Sequence, residues 1–183
     1  MVDTNINKIE IHSKLTTIYE ITDKFSGTCP KGCALCEDRE TLMLLPYEDE
    51  FMHRNIEKKQ IDMFLKNSSG YHYQPLGFSC SMLQSSGTCQ VYPKRPFDCR
   101  SFPIVPRFSL DKNNSIEFFL ANSYCPILNT LPSNFIKNTI KCWKYIAENL
   151  PLDWKKMYNN LNQHCYTNQI TEHYCFSVAL NQG

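Results

Sequence analysis

Ten cysteines stand at positions 29, 33, 36, 80, 89, 99, 125, 142, 165 and 175 of a 183-residue chain. Thiolates are nucleophiles and soft metal ligands, so these residues are the first chemistry the chain offers. Cys29-Pro-Lys-Gly-Cys33-Ala-Leu-Cys36 is spaced C-x3-C-x2-C. Pro30 and Gly32 break regular structure there, which predicts a compact loop whose three thiols can converge on one metal or one cluster. Further on, Cys80-Ser-Met-Leu83 precedes Cys89-Gln-Val-Tyr92-Pro-Lys-Arg95-Pro96-Phe-Asp-Cys99-Arg100-Ser-Phe102-Pro103. Pro93 and Pro96 stiffen the path between Cys89 and Cys99 and remove backbone donors from it. Arg95 and Arg100 are cations beside thiolates. Four thiolates around one divalent zinc leave excess negative charge, and arginine fits as a partner of the sulfurs or of nearby carbonyls. Tyr92 and Phe102 are expected to pack around the site.

The second stretch resembles the YkgJ-type cysteine-cluster family, described as a zinc- or iron-chelating domain. The hallmark, roughly C-x-x-L, a gap, then C-x-Y/V-Y-x-x-R-P-x-x-C-R-x-F-P, fits from Cys80 to Pro103. Cys29 to Cys36, followed by Leu42-Met-Leu-Leu-Pro-Tyr-Glu-Asp-Glu50, is similar to the upstream cysteine loop, apolar stretch and acidic helix start of that family. The resemblance covers about residues 28–103. The first loop departs from it, because family loops more often read C-x-x-C-G-x-C-C and this chain has no adjacent cysteine pair. The resemblance implies metal binding and names no substrate.

Seven thiols are expected as metal ligands: Cys29, Cys33, Cys36, Cys80, Cys89, Cys99 and Cys125. Cys125 is assigned by geometry, since a hairpin between it and Cys99 would bring both to one place. Seven thiolates and no histidine suit an iron–sulfur cluster, and zinc is the alternative, although structural zinc sites usually show two C-x-x-C knuckles. Two other classes stay open. C-x3-C-x2-C, with Leu35 before the last cysteine, also resembles the cluster loop of radical S-adenosylmethionine enzymes. Only 147 of the 183 residues follow Cys36, against about 200 or more for an eight-unit barrel. A thiol redox protein working through Cys33 and Cys36 lacks the usual βαβ context. No catalytic residue set emerges. Cys142 reads as core. His164 with Cys165 and His173 with Cys175 form a weaker candidate pair, and His12, His53 and His72 stand alone.

These residues must be placed by ordinary elements. Residues 5–25 fit a helix, with Ile9-Glu10-Ile11 also readable as a strand. Pro46 opens a helix, running to about Asn55 or after a break to Leu65, whose first turn carries Glu48, Asp49 and Glu50, where the helix dipole favours acids. Residues 67–77 have loop composition. Ile104 to Leu110 and Ser115 to Ala121 flank Asp-Lys-Asn-Asn, a polar turn, and predict a hairpin with Pro106 on an edge strand. Residues 133–150 predict a helix with Ser133 as its cap and Ile136, Ile140, Trp143, Ala147 and Leu150 on one face. Pro151 ends it and starts another with Trp154, Met157, Tyr158 and Leu161 on one side.

The expected fold is therefore α+β, one domain over residues 1–183. It has a cysteine-cluster metal-binding core over 28–125, the hairpin packed against helices, and a helical part over 133–183. Lys plus Arg number 19 and Asp plus Glu 18, a balance that argues against binding nucleic acid by bulk charge. No apolar run approaches the ~20 residues of a membrane span. The chain start shows no secretory segment, so the thiols are expected in a reducing, cytoplasmic setting, with a protein partner open.

Overall fold

A computed structural model describes residues 4–24, 42–53, 64–74, 80, 82, 84–86, 88–110, 115–121, 132–166 and 168–169. The architecture is α+β, with five α-helices among the described residues and two small antiparallel sheets. Helix α1 spans Thr4–Asp23. It buries Ile11, Leu15, Ile18 and Thr22, at steps of four, three and four, which is a helical stripe. Ile9 is 71% exposed. The three-residue alternation at 9–11 is therefore no strand, because the longer period decides.

Strand β1 (Leu42–Met43) leads into α2 (Glu48–His53). β2 (Leu65–Lys66) and β3 (His72–Gln74) complete the first sheet in the order β1-β3-β2. Met43 and Leu65 both lie opposite Tyr73. The loop expected over 67–77 thus contains a hairpin. Its turn closes through Asn67, whose carbonyl accepts from Gly70 N at 3.0 Å and whose side chain accepts from Tyr71 N at 2.8 Å. Gly70 has φ +86, a conformation that glycine adopts without penalty.

Helix α3 (Phe97–Ser101) lies inside the second cysteine motif, with Pro96 at its N-cap. The expected hairpin follows as β4 (Ile104–Phe108) and β5 (Ile116–Leu120), and β6 (Asn168–Gln169) pairs on the far side of β5. β4 is accordingly an edge strand, as Pro106 requires. Helix α4 (Ser133–Ala147) and helix α5 (Leu152–Leu161) match the two predicted helices. The cap differs: Pro132, not Ser133, takes the N-cap position of α4, and no side chain caps it. The proline's fixed φ starts the turn there without a hydroxyl.

The principal core joins α1, α3, α4, α5 and the hairpin. Its centre is aromatic. Trp154 stacks on Tyr158 with ring centroids 5.0 Å apart, and Phe97 packs against Trp143 at 4.6 Å. The stretch 42–45 is a wall between two apolar clusters. Met43 and Leu45 enter the principal core. Leu42 and Leu44 face a smaller cluster with Met52, Phe64, Met82 and Val91. A strand buried on both faces needs a continuous apolar run, and Leu-Met-Leu-Leu supplies it.

Candidate metal centre

Three of the seven expected ligands fall among the described residues. Cys80, Cys89 and Cys99 are half-buried, and all three pack against the smaller apolar cluster on the far face of the 42–45 wall. Backbone bonds fold the chain back between the first two: Gln90 N donates to Met82 O at 2.8 Å and Gln84 N to Thr88 O at 2.9 Å. A short 3-10 turn, Tyr92–Lys94, then carries the chain to α3 and Cys99. Cys29, Cys33, Cys36 and Cys125 lie outside the described residues. Among the described residues no group of three or more His, Cys, Asp or Glu side chains is arranged to hold a metal ion.

The rest of the second motif braces α3. Phe97 is buried in the principal core. Asp98 is also fully buried; its Oδ2 accepts from Met43 N at 3.2 Å and its Oδ1 from the Tyr158 hydroxyl at 2.9 Å. Ser101 Oγ donates to Asp98 O at 3.0 Å. Arg95 stacks over the Tyr92 ring at 4.2 Å. Arg100 is no surface arginine. It is 3% exposed, lies over the Tyr19 ring at 4.1 Å, donates from Nε to Arg95 O at 2.8 Å, and pairs with Asp23.

The same helix also holds described residues on either side of the first cysteine segment. That segment leaves the described fold at the end of α1 and returns at β1. Arg100 of α3 reaches Asp23 and Thr22 on the outgoing side, and Asp98 of α3 holds Met43 on the returning side. Both stems of the segment bearing Cys29, Cys33 and Cys36 are thus bonded to the helix that bears Cys99. The hairpin ends meet too. Ala121 N donates to Pro103 O at 2.8 Å, and Cys99 and Cys125 each lie four residues beyond that bond.

No family model, no curated protein and no solved structure matches the chain.

Sequence reasoning missed two residues here, Glu48 and Asp98. Glu48 was expected only as an acid favoured by the dipole in a first helical turn, and it is fully buried. Its Oε2 accepts from Leu45 N at 2.8 Å, while its own N donates to Leu45 O at 3.0 Å. The chain turns through Pro46 and Tyr47, the latter at φ 62, and Glu48 folds back onto that turn ahead of α2, a contact that no sequence pattern displays. Burial pushes the Glu48 carboxyl up to about 7, against the pull of hydrogen bonds from Tyr19, Phe97 and Leu45, and the Asp98 charge adds to the rise. The remaining described thiols differ in kind. Cys142 is sealed within α4, and Cys165 is buried 4.0 Å from Asn162 Oδ1. Cys175 and the side chains of His164 and His173 lie outside the described residues.

Proposed function

We propose that this chain is a metal-binding protein whose ligands are drawn from Cys29, Cys33, Cys36, Cys80, Cys89, Cys99 and Cys125, with an iron–sulfur cluster preferred over zinc. The observation that carries this reading is the fastening of both stems of the first cysteine segment to α3, the helix of Cys99. It brings Asp23 and Met43, the described residues on either side of the first motif, to the helix that carries the end of the second. The three described motif thiols also share one apolar wall. An all-sulfur donor set beside apolar side chains fits a soft or borderline metal and not magnesium or calcium, which take oxygen ligands. A bound group of this kind would supply redox or structural chemistry; the chain supplies thiolates and excludes water from one side of them. The resemblance to the YkgJ-type family supports the same reading.

The test compares single Cys→Ser variants purified without oxygen. Cys33→Ser and Cys99→Ser, from different motifs, are expected each to lose most of the bound metal. Cys142→Ser is expected to keep it. Equal metal content in all three variants would show that the motif thiols are not the ligands.

A further inference from the structure

Glu48 receives three hydrogen bonds from three separate parts of the chain. The Tyr19 hydroxyl of α1 donates to Oε1 at 2.6 Å, Phe97 N of α3 donates to the same oxygen at 2.7 Å, and Leu45 N donates to Oε2 at 2.8 Å. Tyr19 stands in the last turns of the helix that leads into the first cysteine segment. Leu45 stands in the stem that returns from it, and Phe97 begins the helix of Cys99. Taking a carboxyl group out of water is costly, and well-packed apolar side chains can often join elements without that cost. What a carboxyl group adds is direction: several bonds meet at fixed angles on one rigid planar group.

We propose that Glu48 is a positioning residue of the sulfur site. It sets the Cys99 helix against Tyr19 of α1 and against Leu45, and so fixes where Cys99 stands before metal arrives. This rests on the metal-binding reading above. It also implies that the metal-free chain is folded, since the principal core lies on the other face of the 42–45 wall from the cysteines.

The test is an anaerobic titration of metal-free protein with cobalt(II), whose absorption reports thiolate coordination. Glu48→Gln keeps the shape but offers one acceptor atom where two are used, so a buried backbone N–H then faces an NH2 group. The expected result is a loss of cobalt affinity of about 10- to 100-fold, the range for groups that orient metal ligands, with an altered sulfur-to-cobalt charge-transfer band. Far-UV circular dichroism should be retained. Tyr19→Phe removes one donor and leaves both backbone bonds; it should shift affinity and spectrum in the same direction by less, and it decides the matter if the Gln variant does not fold. Ile146→Val, in the principal core, controls for general loosening and should lower Tm without moving the cobalt affinity. Unchanged affinity and spectrum in a folded Glu48 or Tyr19 variant would overturn the proposal, as would an equal loss in Ile146→Val. If the wild-type chain itself takes up no cobalt, the metal-binding reading falls and this proposal falls with it.

Discussion

Cys142 lies inside α4 with its thiol out of contact with solvent, and burial pushes its pKa up to about 12. A thiol must lose its proton to alkylate or to bind metal. At pH 8 the native chain should therefore leave Cys142 unmodified by iodoacetamide, while the urea-unfolded chain should be modified there. Mass spectrometry of the peptide checks this, and rapid labelling in the native chain would contradict the burial. Burial acts on Glu48 in the same sense, but in the range of neutral pH. Its folded pKa is about 7 against an ordinary value of 4.5, so between those values the folded state holds a proton that the unfolded chain has released. Stability from this group is fully present below pH 4.5 and is lost as pH rises through 7. Tyr19 of α1 and Asp98 of α3 are the ionisable groups that face it. Urea unfolding of metal-free wild type and Glu48→Gln across pH 4.5–8 isolates the effect. The wild-type advantage should shrink as pH rises to 7 and level off above it, and an advantage that grows with pH would contradict the assignment.

At the scale of elements, β4 shows how an edge strand is finished. The outward backbone of Phe108 is met by Asn159 of α5: Phe108 N donates to Oδ1 at 3.0 Å, and Nδ2 donates to Phe108 O at 2.7 Å. The side chain acts as a short stand-in for a further strand and blocks pairing with another chain. Asn159→Ala should cost about 1–3 kcal/mol for backbone groups left unpaired in a partly buried place. Urea unfolding measures it, and an unchanged midpoint would mean that the edge is satisfied another way. The helices around this edge were legible in sequence because Trp143, Ala147, Leu150, Trp154 and Tyr158 repeat at helical steps over long stretches. The hairpin was legible because two apolar runs flank a polar turn. The 65–74 hairpin was not: its strands have two and three residues, too few for a period to register, and only the turn chemistry of Asn67 and Gly70 marks it. Glu48 and Asp98 were not legible as buried groups either. Their donors come from residues 29, 49, 55 and 60 positions away as well as from nearby Leu45, and a single sequence does not display such partners.

For the whole molecule, the helical core and the cysteine side meet along one apolar wall, residues 42–45, with buried carboxyl groups of α2 and α3 bonded to its backbone. Trp154 adds a third tie, its Nε1 donating to Leu44 O at 3.0 Å. No described helix is long and apolar enough to cross a membrane. The aromatic core of α3, α4 and α5 lies on one face of the wall, and Cys80, Cys89 and Cys99 pack against the apolar cluster on the other. Breaking the wall should therefore harm both. Leu44→Ala is expected to destabilise the chain by about 2–5 kcal/mol, as large-to-small core changes do, and to lower metal content per folded molecule. The most direct test of the central claim is elemental analysis, with a visible absorption spectrum, of the full chain purified without oxygen. The account predicts at least one equivalent of iron or zinc per chain, with a brown colour bleached by dithionite if the iron–sulfur preference is right. Well under one equivalent of any transition metal would contradict it.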